Sequence, residues 1–165
     1  MATEMGEYLV GAYLKFELGC GVVDYNARPP GGGLLGLGEL DVIGFDLENR
    51  RAYLCEVTTH LEGLLIGGGG TATIAKISKK HERQREYANT YLKDFAHRFM
   101  FWSPVVRRGL VTELQKVQGL DLFINGTYAA AISALRKRAK RSTADANNPA
   151  FRVLQILEHL RAEPA

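Results

Sequence analysis

Acidic side chains lie within two segments that otherwise have the apolar character of buried β-strands. Residues 38–46 read GELDVIGFD, and residues 52–59 read AYLCEVTT. Because side chains alternate between the two faces of a strand, Glu39 and Asp41 share a face. A turn-prone segment between the two runs predicts an antiparallel hairpin, which can bring Asp41 within a few ångströms of Glu56.

Two carboxylates held this close create an electrostatic conflict. Their repulsion is roughly 4 kcal/mol at 4 Å for an effective dielectric constant near 20, unless a proton or a cation lies between them. A divalent metal ion with oxygen ligands removes the repulsion and leaves positions for water and phosphate. Glu39 is either a third acid at such a metal or a charge at the end of a loop. The plainer alternative places all these acids on exposed edge strands, but the flanking residues are too apolar for edges.

A helix precedes the acidic hairpin. Residues 6–19, GEYLVGAYLKFELG, carry an apolar stripe and an acid near the start. With the hairpin, this segment resembles the PD-(D/E)xK nuclease superfamily, in its restriction-endonuclease-like and resolvase-like members. The resemblance covers about residues 5–102. It implies an α/β fold with an α-β-β-β-α-β core, a mixed central sheet flanked by helices, and an added C-terminal helical part.

The resemblance also implies roles for individual residues. Glu7 matches the acid of the first helix, Asp41 the acid of the strand, and Glu56 the first residue of the (D/E)xK triplet, whereas Thr58 stands where the family has lysine. The implied function is a metal-dependent endonuclease, a hydrolase of DNA phosphodiester bonds. Mg²⁺ or Mn²⁺ would be held by Asp41, Glu56 and the carbonyl of Val57, and Glu7 would act directly or through a water.

Two lysines on the next helix, predicted over residues 74–95, are candidates to supply the cation that is missing from the triplet. Lys80 is the first choice and Lys76 the second. Lys80 lies one turn before Gln84, and Gln84 and His81 interrupt the apolar stripe of this helix. That polar break predicts that the middle of the helix faces water. It also makes Gln84 an additional candidate site residue. Thr58 and one of these lysines would then position the attacking water. The lysines are equally compatible with ordinary solvated helix charges.

A basic cluster lies near the C-terminus. It comprises Arg136, Lys137, Arg138, Lys140 and Arg141. Cations at the end of a helix are stabilised by the helix dipole and need no ligand, but the same residues can bind nucleic-acid phosphates. The second reading also suits a rival function: a catalytically inactive member of the same fold that binds nucleic acid or a protein partner.

Composition limits the remaining choices. The chain has 165 residues, 46% of them hydrophobic, which predicts one domain over residues 1–165, with a core at about 4–102 and an extension at about 103–165. The net charge of +3 does not by itself mark a nucleic-acid binder. Two cysteines without metal-ligand spacing predict reduced thiols, and we expect a cytoplasmic protein with no membrane partner. DNA is the expected partner, while RNA and a homodimer are left open.

Overall fold

The computed structural model describes residues 2–31 and 38–161. Five helices and five strands occur in these residues. In chain order they are α1 (Met5–Phe16), β1 (Val22–Ala27), β2 (Leu40–Asp46), β3 (Arg51–Val57), α2 (Gly70–Tyr91), β4 (Ala96–Ser103), α3 (Arg108–Leu114), β5 (Leu120–Ile124), α4 (Gly126–Arg141) and α5 (Pro149–Arg161).

The strands form one mixed sheet in the order β1-β2-β3-β4-β5. The strand β2 is antiparallel to both of its neighbours, β1 and β3, whereas β3, β4 and β5 run parallel. The predicted α/β class with a mixed, helix-flanked sheet is therefore confirmed. Because β5 pairs with β4, the C-terminal part is not wholly helical: it completes the sheet and then adds α4 and α5.

A tight turn joins β2 to β3, at the position that the sequence predicted. The carboxylate of Asp46 accepts hydrogen bonds from the backbone and side-chain nitrogens of Asn49, at 3.0 and 2.7 Å. Arg50 follows with a φ of 49°, in the left-handed region that a reversal of this kind requires. This turn sets the hairpin register in which Val42 pairs with Cys55.

Helices cover both faces of the sheet. On one face, α1 and α4 pack against a cluster that includes Leu14, Cys55 and Trp102, all at most 1% exposed. On the other face, α2 and α3 pack against two clusters, around Leu54 and around Phe101. Both cysteines are free and buried, as the sequence predicted.

The helix α2 begins at Gly70, earlier than the predicted residue 74. The prediction began late because the run of glycines that ends at Gly70 is typical of a loop. The N-cap of α2 is Gly69. The hydroxyl of Thr73, inside the first turn, accepts a hydrogen bond from the backbone of Ile66 at 2.9 Å and so ties the preceding loop to the helix.

Candidate active site

The two acids of the hairpin lie at the edge of the sheet where β2 begins and β3 ends. Continuing the register by one pair beyond Val42 and Cys55 places Asp41 opposite Glu56. The backbone nitrogen of Val57 donates a hydrogen bond of 2.8 Å to Oδ2 of Asp41. One carboxylate oxygen of Asp41 is thus fixed by the neighbouring strand. This edge is also the one at which the parallel strands β3, β4 and β5 end, which is the common location of ligand sites in α/β sheets.

Lys80 on α2 brings a cation to these acids. Its Nζ lies 2.5 Å from Oε2 of Glu56 and 4.0 Å from Oδ2 of Asp41. The Glu56 side chain is 6% exposed, that of Asp41 19% and that of Lys80 42%. The ammonium group therefore enters the site from the solvent side and closes over two carboxylates that have little access to water.

The electrostatics of the cluster remain acidic despite this lysine. Burial, followed by the neighbouring charge of Asp41, raises the pKa of Glu56 to about 8, and Lys80 opposes the rise only in part. Burial lowers the pKa of Lys80, but the Glu56 and Asp41 carboxylates outweigh burial and leave that pKa above its ordinary value. Lys80 stays charged, and Glu56 is the group whose ionisation is costly.

Glu7 faces the same region from the first turn of α1. It is 8% exposed, and its Oε2 accepts a hydrogen bond from the backbone nitrogen of Glu4 at 3.0 Å in a capping box. Burial raises the pKa of Glu7 against the effect of that amide, and the charges of Asp41 and Glu39 add to the rise. One Glu7 oxygen is committed to the helix cap, while the carboxylate still feels the acids of β2.

A glycine allows α1 to begin so close to the site. A Cβ placed on Gly6 would lie 2.3 Å from Cγ2 of Thr59, in the segment that follows β3. Real Cβ contacts are never this short, so a larger residue would displace the start of α1. Gly6 therefore sets how near Glu7 comes to the end of β3.

Glu39 lies beside the cluster with an incompletely satisfied carboxylate. Its Oε1 is buried and has no hydrogen-bond partner among the described residues. The nearest cation is Arg28, whose Nη2 lies 3.6 Å from that oxygen. Arg28 was not among the residues that the sequence singled out, and only its place beside the loop before β2 could have indicated it.

Thr58 and Lys76 occupy different surroundings from Lys80. The backbone nitrogen of Thr58 donates to the carbonyl of Trp102 on β4 at 2.9 Å, and its hydroxyl lies 3.5 Å from the same oxygen. Lys76 is exposed, and its ammonium group lies beside Gly67 in the glycine-rich loop. Of the two candidate lysines, the structure thus brings Lys80 to the acids and leaves Lys76 beside the glycine-rich loop.

The polar break in α2 does not face water, so the prediction of a wet surroundings is wrong. Gln84 is fully buried, and its Nε2 donates to the carbonyl of Leu54 at 3.1 Å. His81 is 4% exposed, with Nδ1 3.4 Å from Oε1 of Gln84 and Nε2 3.1 Å from the carbonyl of Gln118. These side chains satisfy buried backbone groups and join α2 to the sheet, as buried polar groups must. Gln84 therefore joins α2 to β3 one turn from Lys80.

The basic cluster of α4 lies on the opposite face of the sheet from α2 and is partly neutralised. Nε of Arg136 lies 2.6 Å from Oε1 of Glu158, and Nε of Arg138 lies 2.8 Å from Oε1 of Glu17. The remaining members of the cluster are exposed; they are Lys137, Lys140 and Arg141.

The donor set suits a hard divalent cation only in part. Among the described residues, no group of three or more His, Cys, Asp and Glu side chains is gathered closely enough to hold a metal ion. Asp41, Glu56 and the carbonyl of Val57 offer hard oxygen atoms, and Mg²⁺ commonly takes one or two carboxylates with water and substrate phosphate as its other ligands. The raised pKa of Glu56, and the Glu39 oxygen that has Arg28 nearby but no hydrogen bond among the described residues, are both consistent with a cation at this edge.

Comparisons with known proteins do not assign the chain to a family. No family model, curated protein or solved structure matches it. In the part of the chain that the structure describes, no helix has the length and apolar character needed to cross a membrane.

Proposed function

We propose that this protein is a metal-dependent nuclease that hydrolyses DNA phosphodiester bonds at the cluster of Asp41, Glu56 and Lys80. The observation that carries the proposal is the Lys80 ammonium 2.5 Å from Glu56 and 4.0 Å from Asp41. It supplies, from a helix, the positive group that Thr58, directly after β3, cannot supply. We infer a restriction-endonuclease-like core, supported by the order helix, three strands, helix, strand along α1 to β4.

Each residue of the cluster has a part in the proposed reaction. Asp41, Glu56 and the Val57 carbonyl would hold Mg²⁺ or Mn²⁺, with Glu7 acting directly or through a water. When bound, the metal polarises the phosphate and lowers the pKa of the attacking water. Lys80 then stabilises the negative charge that develops on the phosphate oxygens, a role that preorganised cations perform well in sites with little water. Thr58 offers a hydroxyl to orient water near β4.

A second function is favoured by a specific observation. Thr58 replaces the lysine of the motif, and the Lys80 ion pair partly compensates the charge of Glu56 without any metal. The second function is a catalytically inactive protein with the same fold that binds nucleic acid or a protein partner. The presence of Glu7 as a third acid beside Asp41 and Glu56 counts against it, because such a protein does not need that acid. In both proposals the free, buried cysteines suit a cytoplasmic setting, and RNA is an alternative substrate to DNA.

The proposal is tested by cleavage and by metal binding together. We expect wild-type protein with Mn²⁺ to cleave at least one of linear duplex, branched and single-stranded DNA, and Glu56→Gln to abolish cleavage. Metal should also raise the melting temperature, by about 5–11 °C at a hundred times its Kd, because it binds the folded state only. Asp41→Asn should remove that shift.

The matched control is Glu82→Gln, which changes an exposed glutamate of α2 and should alter neither readout. A wild-type protein that cleaves none of the substrates, and that Thr58→Lys does not activate, would favour the binding module. A melting temperature unchanged by millimolar Mg²⁺ and Mn²⁺ would contradict the metal site, and with it the nuclease proposal.

A further inference from the structure

A cleft leads away from the acidic cluster along α2. It has a volume of about 360 Å³, and its walls are α2 on one side and the backbone around Pro29 and Gly38 on the other. Gly38 directly precedes Glu39, and Arg83 in the cleft lies one turn after Lys80. The cleft therefore opens next to the candidate active site.

One stripe of α2 carries cations at one end and aromatic rings at the other. The stripe has five members, which in order are Lys76, Lys80, Arg83, Tyr87 and Tyr91. Because successive residues of a helix are 100° apart, these five side chains lie within a sector of about 80° around the helix axis. The stripe is about 22 Å long, at 1.5 Å per residue. It begins beside the glycine-rich loop, passes the acidic cluster at Lys80, and ends in the cleft.

The two tyrosines form a paired aromatic surface. Their ring centroids are 5.0 Å apart with a tilt of 56°. Tyr87 is half-buried against the core cluster around Leu54, which fixes its ring, while Tyr91 is 45% exposed. The core needs Tyr87 for packing, but it does not need the exposed ring of Tyr91. A fixed ring beside an exposed one is a suitable surface for a flat apolar group.

The polar side chains of the cleft indicate what that flat group is. Arg83 can bind a phosphate, whereas Glu86 repels one and instead accepts hydrogen bonds from an amino group. Thr90 adds a hydroxyl, which is both a donor and an acceptor. A nucleobase combines an apolar face with amino and carbonyl edges, and it is joined to a phosphate. This mixture matches a nucleotide better than an apolar ligand or a bare anion.

We propose that this cleft binds a single-stranded segment of nucleic acid, with a base on Tyr87 and Tyr91 and the adjoining phosphates on Arg83 and Lys80. The inference rests on the proposed function in that the strand continues into the Asp41, Glu56 and Lys80 cluster. Single strands expose base faces that a duplex keeps stacked, and stacking on aromatic side chains is independent of sequence. The preferred substrate is then a strand end, a flap or a gap.

The test is direct binding in EDTA, where no cleavage occurs. The probe is a fluorescein-labelled oligothymidylate, compared by fluorescence anisotropy with a duplex of equal length. We expect tighter binding of the single strand, and a Kd about 5- to 150-fold weaker for Tyr91→Ala, since stacking of one base has that effect. Tyr91→Phe keeps the ring and should keep the wild-type Kd.

Charge is tested with a matched pair on the same helix. Arg83→Ala should lower the slope of log K against log salt by about 0.7, the value for one phosphate contact on a single strand. Arg85→Ala removes an equal charge from an exposed position outside the stripe and should leave the slope unchanged. Equal effects of the two variants, or preference for duplex, would overturn the proposal.

These experiments distinguish a failure of the cleft proposal from a failure of the nuclease proposal. Glu56→Gln should lose cleavage, whereas Glu82→Gln, at an exposed position of α2 outside the stripe, should bind the oligothymidylate and cleave as wild type does. If wild type cleaves DNA but Tyr91→Ala binds the single strand normally, the nuclease stands and the cleft is wrong. If binding depends on Tyr91 but no variant or metal gives cleavage, the cleft stands and the inactive binding module is the function.

Discussion

At the residue scale, the central feature is one lysine shared by two poorly solvated acids. The hairpin forces Asp41 and Glu56 together, and burial beside the Asp41 charge makes Glu56 costly to ionise. Lys80 relieves part of that cost from a separate helix. Its ammonium group carries a charge that the hydroxyl of Thr58 lacks, so in the proposed nuclease the cation of the site comes from a residue 22 positions further along the chain.

The ionisation of Glu56 gives a pH-dependent prediction. Burial and then Asp41 raise its pKa from 4.5 to about 8, so over this range the folded protein holds a proton that the unfolded chain has released. The stability linked to Glu56 is complete below the unfolded pKa and is lost as the pH rises through the folded one. In EDTA, urea unfolding should show wild-type stability falling over this range, and Glu56→Gln should flatten the fall.

The control for this prediction is Glu82→Gln, whose exposed side chain should leave the wild-type pH dependence intact. Parallel curves for wild type and Glu56→Gln would show that Glu56 is already ionised at neutral pH, and that Lys80 compensates it fully.

The sequence singled out Lys80 because of its polar neighbours on α2, but the structure gives those neighbours a different role. Its closeness to Gln84 and His81 suggested a wet groove, yet both side chains are buried and bind backbone carbonyls. Sequence spacing shows that polar residues interrupt a stripe, but it does not show whether water or an unpaired carbonyl lies opposite. The partners, Leu54 and Gln118, lie on other elements.

At the element scale, the basic cluster of α4 contains cations in two different situations. Some form ion pairs within the fold and others are exposed, and the sequence does not distinguish them. Two of its five clustered cations are held in ion pairs with Glu158 of α5 and Glu17 of the segment after α1. Exposed ion pairs contribute little stability individually, but they occupy the cations that form them. Those left for a nucleic acid are Lys137, Lys140 and Arg141.

This division predicts different outcomes for two pairs of substitutions. Changing Lys137 and Arg141 to Ala should weaken duplex DNA binding uniformly across sequences and lower the salt slope by about 1.8, for two phosphate contacts. Changing Arg136 and Arg138 to Ala should alter the slope less, because their ion pairs already engage them. Salt-dependent anisotropy measures both. An unchanged slope for the Lys137 and Arg141 pair would show that these cations do not contact phosphates and that the helix dipole is sufficient to explain the cluster.

Most elements could be predicted because their boundaries have local causes. The pair Asn148-Pro149 has the local chemistry of a helix start, a cap followed by a proline at N1, and α5 does begin at Pro149, with Asn148 accepting a hydrogen bond from the backbone of Phe151 at 2.9 Å. The start of α2 was missed because glycines disfavour helices in isolation. There the cause is tertiary: Thr73 and the preceding loop hold the first turn in place.

At the scale of the whole molecule, distant parts of the chain converge on one edge of the sheet. The C-terminal helices help to hold α1 there: Nδ2 of Asn148 donates to the carbonyl of Tyr8 at 2.9 Å, and the rings of Phe16 and Phe151 lie 4.4 Å apart. Burying a side chain such as Phe151 stabilises by about 1.5–3 kcal/mol. The sequence predicted an extension after residue 102 but not that it supports α1, because nothing local to either segment specifies the contact.

The most direct test of the account is the rate of metal-dependent cleavage by Lys80→Ala, measured under single-turnover conditions with Mn²⁺ beside Lys79→Ala. Removing one stabiliser of transition-state charge typically costs about 100- to 1,000-fold in rate, and we predict that loss for Lys80→Ala. Lys79 is exposed and points about 100° away on the helix, so Lys79→Ala should cleave at the wild-type rate. Cleavage by Lys80→Ala at the wild-type rate would contradict the assignment of Lys80 as the cation of the active site.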